Sequence, residues 1–169
     1  MAVKTSITEE EYLRTSFAGV DQEYQNGDLV ERAMPDDYHS EVQINAGTFF
    51  QNLRRTESLP FYGRTELRHC IRAGRYLIPD VSVHWPQRPS ELVPSNPPLI
   101  VIEILSPDDR MSVVIAKLEE YLNWGVAHVW FVDPHTRVLS VYDRTGLHTV
   151  SEFQVPHANR TITVADLFD

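Results

Sequence analysis

The chain has 169 residues, 42% of them hydrophobic and 10% aromatic, which excludes a disordered chain and suits one domain spanning residues 1–169. Fifteen Lys and Arg against 24 Asp and Glu give a formal charge of −9, which argues against a protein that coats nucleic acid non-specifically. No apolar run approaches the roughly 20 residues of a membrane-spanning helix, Met1 to Ser6 lacks a leader-like stretch, and the lone Cys70 closes no internal disulfide, so a reduced cytoplasmic setting is expected.

Thr8 followed by Glu11 predicts a capping box opening a short helix, with Tyr12 and Leu13 available for packing. Between Glu23 and Glu31 the pair Asn26-Gly27 predicts a two-residue hairpin turn, since both turn positions need positive φ; the two glutamates then fall on paired strands. From Asp37 to Arg55 the apolar residues Val42, Ala46, Phe49 or Phe50, and Leu53 recur at helical spacing. Phe61-Tyr62, Leu67 to Ile71, and Tyr76 to Trp85 read as strands, the last containing Pro79. The proline-rich segment from Pro86 to Pro98 is a surface loop.

Leu99 to Leu105 is a continuous apolar run of strand length, as expected of a central strand buried on both faces, and one carboxylate, Glu103, interrupts it. Ser106-Pro107-Asp108-Asp109 turns the chain into a helix ending at Gly125, with Met111, Val114, Ile115, Leu118 and Leu122 as its apolar stripe. Ala127 to Val132 reads as a second buried strand. Val138 to Tyr142 and Leu147 to Phe153 read as outer antiparallel strands, and Thr163 to Phe168 as a last helical turn. Strand, helix, strand from 99 to 132 predicts a right-handed crossover, hence an α/β fold with a mixed sheet flanked by helices.

A carboxylate inside a buried strand is costly unless it is paired, metal-bound or protonated. Glu103 with Asp80, which follows Pro79 on the preceding strand, suits Mg²⁺ or Mn²⁺, ions that take oxygen ligands and keep several waters. Lys117 lies beside the helix stripe, in reach of the same strand end, where an ammonium orients water or offsets developing negative charge. Glu23 is a candidate third carboxylate. The competing readings are structural: an ion pair of Glu103 with Arg64, Arg68 or Arg75, a turn role for Asp80, an exposed Lys117, a solvent-facing Glu23 and a capping His39. His128 and His135 flank a strand at a spacing that fits no zinc motif, and Ser106 has no recognisable His and Asp partners.

Pro79-Asp80, Glu103-Ile104-Leu105-Ser106-Pro107, Lys117, Tyr121, Gly125-Val126 and Trp130 to Pro134, together with Glu23, Gly27 and His39, resemble a bacterial restriction-endonuclease family of the PD-(D/E)xK nuclease superfamily. The resemblance runs from about Thr8 to Phe168. It implies a restriction-endonuclease-like mixed sheet of about four strands flanked by helices, and metal-assisted hydrolysis of DNA phosphodiesters. It further implies catalytic roles for Asp80, Glu103, Lys117 and Glu23, with Asp80, Glu103 and Ile104 as metal ligands. The superfamily's E-x-K pattern would place lysine where this chain has Leu105, and the resemblance moves that role to Lys117. Many relatives carry an acid where this chain has Val113. A catalytically impaired binding or regulatory module is therefore the alternative function. A homodimer able to cut both strands is the expected assembly, with Trp85 and Trp124 serving its interface if exposed and belonging to the core if not.

Overall fold

Twelve strands and four helices alternate along residues 6–168, the part of the chain that the computed structural model describes. The leader expectation for Met1 to Ser6 thus lies, except for Ser6, outside the described residues. Helix α1 (Glu9–Arg14) opens with the expected capping box: Thr8 Oγ accepts from the Glu11 N–H, and Glu11 reciprocates at the Thr8 backbone. Strands β1 (Glu23–Gln25) and β2 (Asp28–Val30) form the expected hairpin, with φ of 50° at Asn26 and 98° at Gly27. Glu31 lies one residue past β2.

The largest departure from the sequence reading is at Pro79. The expected strand Tyr76–Trp85 is divided into β5 (Arg75–Leu77) and β6 (Val81–His84), and the two belong to different sheets. Proline has no N–H for a ladder bond, so pairing stops there and the chain changes partners. A four-stranded sheet runs β2-β1-β5-β4, with β4 at His69–Arg72. A six-stranded sheet runs β10-β9-β8-β7-β6-β3, built from β3 (Tyr62–Thr65), β7 (Ile100–Ile104), β8 (His128–Asp133), β9 (Val138–Asp143) and β10 (Gly146–Val150) with β6. Its one parallel pairing is β7 with β8, joined by α3 (Met111–Trp124), so the sheet is mixed as predicted and larger than the four or so strands implied. The expected strand Leu147–Phe153 also divides. Its second half becomes β11 (Glu152–Val155), which pairs with β12 (Arg160–Thr163), a strand with no clear sequence signal, before α4 (Val164–Phe168).

Each face of the large sheet carries a core. Helix α2 (Asp37–Thr56) packs Val42, Ala46, Phe50 and Leu53 onto Val81, Val83, Ile100, Ile102, Ile104 and Trp130. Helix α3 packs Val114, Leu118 and Tyr121 onto Val101, Val129 and Phe131 from the other side. Strand alternation therefore sends the odd-numbered residues of β7 toward α3, and Glu103 is one of them. Gly125 ends α3 at φ 111°, a conformation that favours glycine, and its N–H closes onto the carbonyls of Tyr121 and Leu122.

Candidate functional site

Glu103 sits in the centre of the sheet, only 8% exposed, facing two residues one turn apart on α3. Lys117 donates to its Oε2 at 3.0 Å and Tyr121 to its Oε1 at 2.7 Å. Burial pushes the Glu103 carboxyl up to about 7; Lys117 opposes the rise, while Asp80 and Glu23 add to it. For Lys117, burial disfavours the ammonium, but Glu103, Glu23 and Asp80 outweigh it and leave its pKa raised. The lysine is thus a permanent cation at neutral pH.

Asp80 directly follows the Pro79 break, and the pairing of Val81 with Ile102 brings it beside β7 next to Glu103. Its Oδ2 accepts the Ile104 N–H at 2.8 Å, and its Oδ1 meets Arg32 at 2.8 Å and His39 Nε2 at 3.3 Å. Burial works against the Asp80 carboxylate, yet His39, Lys117 and Arg32 hold its pKa below the ordinary value. Glu23, on β1 of the small sheet, accepts the Ile78 N–H at 3.1 Å, pairs with Lys117 at 2.8 Å, and has Arg75 at 3.8 Å. Lys117 also donates to the Ile78 carbonyl at 3.2 Å. Arg75 is fixed in turn by a bidentate pair with Glu120. The segment Ile78-Pro79-Asp80 thus joins the two sheets and contacts Glu23, Lys117, Arg32 and His39.

The structure brings together Asp80, Glu103, Lys117 and Glu23 around one cavity that Ile104 also lines. The competing ion pairs are absent: among the described residues, Glu103 forms no ion pair with Arg64, Arg68 or Arg75. His39 is the third residue of α2 rather than a cap. The cap is Asp36, and His39 is buried against Asp80 with its Nδ1 lacking a hydrogen-bond partner among the described residues. Arg32 was invisible to sequence reasoning, because it follows β2 in an irregular stretch with no periodicity, and its partner lies 48 residues away. Leu105 is partly buried against the α3 core, whereas Val113 is 60% exposed at the cavity. Of their two readings, Trp85 and Trp124 fall nearer the core one. Trp85 stacks on His157 at 3.7 Å and Trp124 meets His69 edge-on, each half-buried against a core.

Among the described residues, no three His, Cys, Asp or Glu side chains are grouped as a ready-made metal cage. The reason is visible in the geometry: Lys117 stands between Glu23 and Glu103, and Arg32 covers Asp80. The donors that share the cavity are nonetheless carboxylate oxygens, which fits Mg²⁺ or Mn²⁺, ions that need only one or two carboxylates and keep waters.

A mixed sheet covered by helices on both faces, with acids and a lysine converging on its central strand, defines a restriction-endonuclease-like α/β protein. The chain belongs to the Uma2 family, described as "Putative restriction endonuclease", whose family model matches residues 9–169. Among solved structures it is similar to a protein from Anabaena variabilis described as "a putative nuclease". The TM-score is 0.80 at 23% identity, covering 96% of this chain and 97% of that one, a likeness of fold. No curated protein matches it in sequence. Family membership supports a nuclease function. No helix among the described residues is long and apolar enough to cross a membrane.

Proposed function

We propose that the protein is a Mg²⁺- or Mn²⁺-dependent endonuclease that hydrolyses phosphodiester bonds of DNA. The observation that carries the proposal is the placement of Lys117, held by Glu23 at 2.8 Å and Glu103 at 3.0 Å at a cavity that Asp80 enters from the neighbouring strand. Asp80 and Glu103 would hold the ion, with Ile104 able to contribute only its backbone carbonyl oxygen. A divalent ion bound there supplies Lewis-acid polarisation of a phosphoryl oxygen and makes water more acidic. Lys117, which stays charged, donates hydrogen bonds that orient the attacking water and stabilise negative charge growing on the phosphoryl oxygens. Glu23 holds the ammonium in place. A homodimer would present two such sites to a duplex and yield linear as well as nicked product.

Cleavage of supercoiled plasmid in Mg²⁺, Mn²⁺ or EDTA tests this, with Asp80→Asn and Glu103→Ala as variants. Nicking that requires metal and vanishes in both variants is expected. Cleavage unchanged in both would refute it. The alternative, a binding module that has lost catalysis, is favoured by one observation: each acid of the cluster already faces a protein cation, and Val113 adds no further carboxylate. Mn²⁺ titration separates the two readings, because the nuclease predicts binding that depends on Asp80 and Glu103.

A further inference from the structure

We infer that DNA reaches the cavity along the free edge of β3, where Arg54, Arg64 and Arg88 hold its phosphodiester backbone. This inference rests on the nuclease reading and adds where the substrate lies. Strand β3 is an outermost strand of the six-stranded sheet, so one side of it has no strand partner. A Cβ on Gly63 would meet Phe50 at 3.2 Å, so Gly63 faces α2, and strand alternation turns Tyr62 and Arg64 to the opposite face, which bears Glu103. Two residues beyond Arg64, a distance of about 6–7 Å along a strand, Glu66 lines the acid cavity and its N–H donates to the Asp80 carbonyl. The strand therefore leads from the cluster to the arginines.

Charge and position together pick out these three arginines. On a chain of net charge −9, Arg14, Arg32, Arg68, Arg75 and Arg160 each form an ion pair. The other eight form none among the described residues, and of these Arg54, Arg64 and Arg88 are the three grouped about β3. Arg64 donates to its neighbour's carbonyl at Gly63, and Arg54 donates to Gln51 while lying 5.7 Å over the Tyr62 ring. Glu91, which shares a second cavity with Arg88, is tied to the N–H and hydroxyl of Ser95. After burial, Arg88 and Arg54 are what depress the Arg64 pKa, so Arg64 lies within electrostatic reach of both. Uncompensated like charges at one edge of an acidic protein are unfavourable until a polyanion joins them, and they focus that polyanion at the site. Phosphate contacts of this kind fix the register of a nucleic acid without reading its sequence.

The test is fluorescence anisotropy of a short DNA duplex in EDTA across a salt series, using wild type, Arg64→Gln/Arg88→Gln and the control Arg137→Gln/Arg144→Gln. The control removes the same charge from the hairpin turns near the opposite edge of the sheet. Two lost phosphate contacts should weaken binding at least about tenfold and flatten the slope of log K against log salt by about 2. The control should stay close to wild type. Wild-type-like binding by Arg64→Gln/Arg88→Gln, or an equal loss in the control, would overturn the inference. Mn²⁺-dependent hydrolysis of bis(p-nitrophenyl) phosphate by the wild-type chain tests the nuclease reading separately. Hydrolysis without duplex binding overturns the edge track alone, whereas the absence of both removes the nuclease reading and the track with it.

Discussion

Lys117→Met removes the one ammonium that satisfies Glu103 and Glu23 together. Glu23 would keep the Ile78 N–H and a distant Arg75, and Glu103 would keep only Tyr121 as a direct partner. Removing one partner of a buried ion pair costs about 3–5 kcal/mol, because the other charge is left uncompensated. The loss should depend on pH in a definite sense. Burial already lifts the Glu103 carboxyl from 4.5 to about 7 against the pull of Lys117, and without that pull it rises further. A native pKa above the unfolded one means that the native state binds more protons between the two values. Stability of the variant then falls as pH rises through that window, by up to about 1.4 kcal/mol per pH unit. Urea unfolding in EDTA at several pH values should find Lys117→Met nearest to wild type in mild acid and furthest from it in mild base. Glu103→Gln/Lys117→Met should recover much of the loss. A variant within about 1 kcal/mol of wild type at every pH would refute the reasoning, since it would mean that the pair is not electrostatically buried.

Arg32→Met should destabilise the metal-free protein by about 3 kcal/mol, and saturating Mn²⁺ should restore most of that, since a cation at Asp80 replaces the guanidinium; equal melting deficits with and without Mn²⁺ would argue against an ion at Asp80. His69 and His84 share a 3.3 Å Nε2···Nε2 contact in the interior, and burial lowers both to about 4. The Leu67 carbonyl, 2.7 Å from His69 Nδ1, fixes the tautomer that carries its proton there. As pH falls the unfolded chain takes up protons first, so stability present above about 6.5 is lost toward 4, by roughly 3 kcal/mol for His69 alone. His69→Gln/His84→Gln should flatten that dependence, and a slope identical to wild type would exclude the pair as its source. Gly125→Ala, forced to φ 111°, should cost about 1–2 kcal/mol and lower the melting temperature by a few degrees.

Much of the site was legible because its parts break local patterns. Glu103 stands out as one acid in an apolar strand, and Asn26-Gly27 and Gly125 mark turns through backbone chemistry that needs no tertiary context. Lys117 was legible as a residue beside the apolar stripe of α3, and its role as what the family resemblance implies. The missing parts depend on long-range placement. Arg32 has no repeat to lie on, and only the fold brings it to Asp80. Pro79 was legible as an interruption, but a proline does not reveal that the next strand joins another sheet. Phe61-Tyr62 reads as strand, yet β3 runs on to Thr65, and its position at the edge is set by where β6 pairs. Whether the two tryptophans belong to an interface or to the core was not legible, because aromatic exposure depends on neighbours distant in sequence, His157 for Trp85 and His69 for Trp124.

The junction at Pro79 means that the acid cluster has two owners. Glu103 stands in the large sheet and Asp80 at the junction beside it, while Glu23 belongs to the small sheet and meets Lys117 only when the two are docked. If the small sheet came away, Lys117 would lose one of its two carboxylates and the large sheet would keep its ladder. Hydrogen exchange at the Ile78 N–H, whose acceptor is Glu23, is therefore a single-atom reporter of whether the cluster is whole. A chain that has not finished assembling would carry the acids of a nuclease without the geometry of one.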